Sequence, residues 1–293
     1  MMGLSRKQWL LLLAVNALIL CRWGYEFGRN DQMQILGYAH FLSQPDLYPL
    51  DHYIQTMHKR VPNERFMVSW LLSWTDAIQE WFCFLAFLAT NILIGVQLFR
   101  IMGQFFKRDL FFFTGLLFLF IPFYHINLGH NELAYSAFFV SQLVNLMLLY
   151  ALERFLAERY IHSFLVIGLS GILQPVLAVH FAVSLGALLG WWTISQKEKL
   201  TWIITIKAYA SYALTGGIWI LFLKFFFEES STVSNAEFFQ ILFEFRAPHH
   251  YLPAAFNWKI GLFLVPLWLF GGYFFSRKSK GLQGYFIFTF VGL

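Results

Sequence analysis

Apolar runs of about 17 to 25 residues, nearly free of charge, recur along this chain and leave only two long polar segments between them. A helical run of that length matches the hydrocarbon thickness of a bilayer, and several of them dictate a polytopic all-α membrane protein. A transmembrane barrel is excluded, because its strands alternate apolar and polar residues over about ten positions. Composition agrees: of 293 residues, 58% are hydrophobic and 13% charged, whereas charged residues approach about a quarter of a soluble domain.

The runs predict helices at about 8–24, 81–99, 110–128, 133–151, 161–174, 176–194, 203–227 and 260–275, with a ninth beginning at Leu282 and cut short at Leu293. The whole of 1–293 is therefore expected to form one transmembrane domain, the N-terminal part of a longer protein. Arg6 and Lys7 precede the first run. Arg100, Lys107, Arg108, Arg154, Arg159, Lys197, Lys199, Arg277, Lys278 and Lys280 fall in alternate short loops. By the positive-inside rule these loops and the N-terminus face the cytoplasm, and the polar loops over 25–80 and 228–259 face outward. The first run, with Leu20 before Cys21, reads as an uncleaved signal anchor. The stretch 161–194 is too long for one ordinary span and is broken at Gln174-Pro175, giving two short helices.

Cys21 and Cys83 both lie in apolar stretches, so no disulfide or zinc framework is implied. The net charge of +5 collects in the short loops, which argues against a nucleic-acid partner. Walker loops, dinucleotide fingerprints, zinc-protease helices and nucleophile elbows are missing from the sequence.

Chemistry is expected where the two polar loops meet. In the first loop, Ile35, Leu36, Ala39 and Leu42 recur at helical spacing behind Asn30 or Asp31, and Pro45 ends the helix. Phe66 to Trp74 is apolar, rich in Trp and too short to span, so it is expected along the membrane interface. Asp31 is the first catalytic candidate: a carboxylate at the membrane surface suits a general base or a contact to a divalent cation. Asp31 and Gln34 also have capping-box spacing, which would occupy the carboxylate with helix amides. Glu26, Asp46 and Asp51 are substrate-binding candidates in the same loop, with turn and cap roles as the plainer account. In the second loop, Arg246, His249 and His250 combine a planar cationic fork with imidazoles that titrate near neutral pH, a set suited to phosphate. His125, Asn127, His130, Asn131 and Glu132 form a further polar turn. Gln174 and His180 sit at membrane depth, where polar groups face a bundle interior.

The chain resembles the GT-C superfamily of polytopic glycosyltransferases and the uncharacterised bacterial membrane proteins related to it. The resemblance rests on a single span before a long outer loop with Gly24-Tyr25-Glu26 and Asn30-Asp31-Gln32, on Asp46-Leu47-Tyr48-Pro49-Leu50-Asp51, on the Gln174-Pro175 break, and on Phe245-Arg246-Ala247-Pro248-His249-His250-Tyr251-Leu252-Pro253. It implies transfer of a sugar from a polyprenyl-phosphate carrier to an acceptor at the outer face of a bacterial inner membrane. In that family an acidic residue of the first outer loop acts as base or metal contact, and Asp31 is the matching position. Gln32 stands where an acidic pair is usual, a departure that bears on the metal. Two other functions fit the residues: a transporter or flippase of a lipid-linked or amphipathic solute, with Gln174-Pro175 and a buried His180 at a midplane site, and a non-catalytic envelope scaffold.

Overall fold

A computed structural model describes residues 4–29, 31–59, 65–103, 136–196, 199–226, 234–241 and 244. Among them every regular element is helical and there is no strand. Two compact units make up the chain. One is Met1–Ile121 with Ala134–Phe227; the other is Pro122–Leu133 with Glu228–Leu293, of which one short helix, described last below, lies among the described residues.

Helix α1, Arg6–Trp23, begins at a capping box in which Gln8 and Ser5 exchange hydrogen bonds between side chain and backbone. It ends at Gly24, whose φ of 72° turns the chain while its N–H closes on the Leu20 carbonyl. Leu12, Val15, Asn16 and Ile19, spaced three and four apart, form its buried stripe, and Leu12 fills the notch left by Gly95. The first polar loop then folds into three helices, α2 (Asp31–Ser43), α3 (His52–Lys59) and α4 (Phe66–Ser73), followed by a 3-10 turn at Asp76–Ile78. Helix α3 falls just after the turn-rich stretch for which the sequence offered turn and cap roles. Its start is fixed by Asp51, whose Oδ1 accepts from the N–H groups of Tyr53 (2.9 Å) and Ile54 (3.1 Å).

Beyond the turn run α5 (Gln79–Gly103), α6 (Val140–Leu156), α7 (Tyr160–Leu173), α8 (Pro175–Gln196) and α9 (Lys199–Tyr212). A π-helical segment, Ala213–Gly217, joins α9 to α10, Ile218–Phe226. Asp76–Ile101 and Pro175–Ile194 are long and apolar enough to cross a membrane, with mean hydropathies of 2.1 and 1.6, and Tyr160–Leu173 is a shorter apolar helix.

Helix α7 occupies the centre, packed on α6, α8, α9 and the π segment. Its neighbours come close because glycines meet: a Cβ on Gly168 would strike Thr215 Oγ1 and come within 2.8 Å of the Gly216 backbone nitrogen. The same contact explains why the expected single run 203–227 is interrupted. The bulge sets Gly216 against Gly168, and Thr215 bonds back to the Ser211 carbonyl at 2.8 Å. Helix α6 also departs from expectation, since it starts at Val140 rather than near 133, and Phe139 is extended at φ −117° and ψ 150°. Arg154, read as a loop cation, lies in the last turn of α6. It is buried beside Glu153, to whose carboxylate it donates at 2.6 Å, and stacks over Tyr150. In the second unit, α11 (Asn235–Gln240) begins where Ser234 and Glu237 form a capping box. The predicted spans at 110–128, 260–275 and from Leu282 lie outside the described residues.

Substituting Gly168→Ala should destabilise the bundle by about 1–3 kcal/mol through overpacking. Gly190→Ala, whose new Cβ meets only the Tyr209 hydroxyl at 3.5 Å, should change it little. Unfolding midpoints of the two variants in one detergent compare them directly.

Candidate functional site

The site starts from how residues 24–32 are held. Glu26 N–H donates to the Ser136 carbonyl at 2.8 Å, and Ser136 Oγ donates to Glu26 Oε2 at 3.1 Å. Gln32, 2% exposed, has both ends of its amide occupied: Oε1 accepts from Gly28 N–H at 2.6 Å and Nε2 donates to the Phe138 carbonyl at 3.2 Å. The backbone of 136–138, left unpaired because α6 starts late, is thus bonded by the loop. Tyr25 packs on Phe84 and Phe87, and burial pushes its phenol up to about 12, so it stays neutral at physiological pH. The Arg29 guanidinium, bonded to Glu26, holds that exposed carboxyl below its usual range, with Ser136 contributing in the same direction.

With the loop fixed, α2 starts at Asp31 and buries two faces. Ile35, Leu36 and Ala39 pack with Val68, Leu72, Cys83, Phe87 and Phe138, while Tyr38 and Phe41 pack with Ile54 of α3. A cleft of about 90 Å³ remains between the start of α2, the start of α4, the start of α6 and the end of α7. It is lined by Asp31, Ile35, Arg65, Phe139, Val140, Ser141, Leu173 and Gln174. Three observations define its chemistry. Asp31 is exposed, and its carboxylate has no hydrogen-bond or ion-pair partner among the described residues. The expected capping box with Gln34 is not made. Gln34 Oε1 instead accepts from Tyr53 Oη at 2.9 Å and from Arg65, which also bonds the Tyr53 hydroxyl. Gln174, in the break between α7 and α8, has a buried Oε1 without a partner among the described residues.

One wall of the cleft therefore carries a cation steadied by a phenol and an amide, and its mouth carries an available carboxylate. Such a pairing can take a proton from a hydroxyl and stabilise negative charge within the same small volume. It does not of itself make a divalent-cation site. The lining supplies one carboxylate beside a guanidinium, well short of the six to eight oxygens of calcium or a magnesium octahedron. Among the described residues no group of three His, Cys, Asp or Glu side chains comes together to hold a metal.

Of the residues singled out in the sequence, Asp31 lines the cleft. Glu26 is engaged with Arg29 and Ser136 as a loop anchor, Asp46 is exposed in the turn closed by Leu47 N–H on the Gln44 carbonyl, and Asp51 caps α3. Arg246, His249 and His250, like His125, Asn127, His130, Asn131 and Glu132, lie outside the described residues. His180 is exposed on α8 rather than buried. Sequence reasoning missed Arg65, whose one signal was a cation placed immediately before the apolar helix 66–73. His40 Nδ1 lies 2.7 Å from Asp76 Oδ1 and ties α2 to the turn that starts α5.

No family model matches the chain, and no curated protein or solved structure matches it either.

The amide at position 32 explains why a second acid is missing beside Asp31: the side chain points inward and must donate to a carbonyl. Substituting Gln32→Glu buries a carboxylate against the Phe138 carbonyl and should cost about 1–3 kcal/mol at pH 7.5. Burial raises the folded-state pKa of that glutamate above the unfolded value of about 4.3. The penalty is thus complete above the raised pKa and fades as pH falls toward 4. Unfolding midpoints of variant and wild type at pH 7.5 and 4.5 should converge at the lower pH.

Proposed function

We propose that this chain is a polytopic membrane glycosyltransferase of the GT-C kind, moving a sugar from a polyprenyl-phosphate carrier to an acceptor on the outer face of a bacterial cytoplasmic membrane. The observation that carries the reading is the available carboxylate of Asp31 sharing one cleft with the Arg65 guanidinium. Two of the helices are long and apolar enough to span, and the helices with short connections alternate in direction, so the cleft lies at the end where α6, α8 and the polar loop begin. With the N-terminus inside, that end faces outward.

In this mechanism Asp31 accepts the proton of the acceptor hydroxyl as its oxygen attacks the anomeric carbon, and the bond to the carrier phosphate breaks on the opposite side. Arg65 neutralises charge gathering on the departing phosphate. Attack opposite the leaving group inverts the anomeric centre. Arg246, His249 and His250, outside the described residues, stay phosphate-binding candidates read from the sequence alone.

Purified protein in vesicles, given a polyprenyl-phosphate-linked radiolabelled sugar and a lipid extract as acceptor, tests this. Asp31→Asn should lower transfer by about 10²–10⁴-fold, the worth of a general base, with donor binding retained. Unchanged transfer removes Asp31 from the mechanism. A second reading, a transporter or flippase, is favoured by the helix break before Pro175, whose Gln174 lines the same cleft. It predicts translocation of an intact lipid-linked solute with no glycosidic bond cleaved, and no loss in Asp31→Asn.

A further inference from the structure

Large apolar side chains stand exposed along α4, the 3-10 turn and the start of α5. Leu71 is 47% exposed, Trp74 69%, Ile78 59%, Trp81 68% and Leu85 60%. They recur three or four residues apart along α4, the turn and the start of α5, and Leu93, also exposed at 45%, lies further along the long helix. On the same helices, Val68, Leu72, Cys83 and Phe87 belong to the core under α2. Trp70 stacks edge-on against Trp74 at 4.3 Å, and Trp81 lies against Phe84.

Three features say what covers these side chains. Two large indoles stand largely exposed within four helical turns, and an amphipathic ring with a polar N–H is most at home between hydrocarbon and water. Exposed Glu80 immediately precedes Trp81, whereas the residues from Trp81 to Phe99 carry no charge. A carboxylate near the bilayer centre is costly, so the Glu80 level marks a boundary. From Glu80 to Arg100, twenty residues at 1.5 Å each make roughly 30 Å, the thickness of a hydrocarbon core. A protein partner seated here would have to cover exposed Glu80 as well, and interface cores are depleted of charge.

We infer that the face made by Leu71, Trp74, Ile78, Trp81 and Leu85 is embedded in the outer interfacial layer of a phospholipid bilayer, with Trp81 at the hydrocarbon boundary. The inference rests on the reading that α5 crosses the membrane, and it extends that reading to the cleft. Arg65 stands immediately before α4, roughly 13 Å along the helix from Trp74. The cleft it lines thus meets the headgroup layer, and its ligand is an amphiphile that presents a polar group at headgroup depth while its tail stays in the bilayer.

The test uses full-length protein in phosphatidylcholine vesicles containing lipid brominated at carbons 6 and 7 or at carbons 11 and 12. Emission lost in Trp74→Phe and in Trp81→Phe, taken as the difference from wild type, should be quenched more by the shallow label than by the deep one, and little by aqueous iodide. Equal or greater quenching by the deep label, or quenching by iodide alone, overturns the interfacial assignment. Emission untouched by either kind of quencher shows a face covered by protein and overturns it too. A tryptophan reporter from Leu93→Trp, roughly 18 Å further along α5, checks the span separately. Quenching by the deep label there upholds the crossing whatever the result at Trp74 and Trp81, and its absence overturns both readings. None of these measurements requires turnover.

Discussion

The amide of Gln32 is the constraint on which the segment between α1 and α5 depends. Buried and bonded at both ends, it fixes the loop after α1 to the extended backbone before α6, two segments more than a hundred residues apart in sequence. Glu26 and Ser136 repeat the join with two further bonds. An amide suits the position because it must accept from an N–H and donate to a carbonyl in one place, which a carboxylate cannot do. Removing one partner of such a buried set exposes the full desolvation cost of the others.

Everything that lines the cleft follows from that join. Helix α2 starts where the loop is pinned, so Asp31, next to Gln32, lines the cleft with no partner among the described residues. Helix α3 then lies over Tyr38 and Phe41, and its Tyr53 reaches back to Gln34 and Arg65. Asp51, by capping α3, acts on the cleft at one remove. The charges of the site are thus divided between one residue that is spoken for, Arg65, and one that is available, Asp31. General-base chemistry needs that division, because a base already bonded to an arginine is a poor proton acceptor.

The helical class and the positions of α1, α2, α4, α5, α7 and α8 were legible in hydrophobic runs, capping residues and prolines, since those signals are local. The starts of α6 and the interruption before α10 were not. Each is decided by a partner far away in sequence: the loop that claims residues 136–138, and Gly168 pressing on Gly216. Asp31 could be picked out as a carboxylate at the membrane end of a helix, but its capping spacing to Gln34 pointed equally to a structural role. The tertiary capture of Gln34 by Tyr53 and Arg65 removes that capping box and leaves the catalytic role a proposal. Arg65 carried almost no local signal, because an arginine before an apolar helix is common at membrane surfaces. Glu26 and Asp51 looked like ligands for the same reason they make good anchors: short acidic side chains among turns bond whichever N–H or cation is nearest.

The most direct measurement is a cross-link across the join. With Cys21 and Cys83 replaced by serine, the double substitution Glu26→Cys and Ser136→Cys places two thiols on backbones joined by a 2.8 Å hydrogen bond, the close approach a disulfide requires. Mild oxidation in membranes should close the disulfide nearly completely, seen as a mobility shift reversed by reductant. Thiols that stay free and react with a maleimide under the same conditions would mean the loop is not docked on residues 136–138, and the cleft built on that docking would go with it.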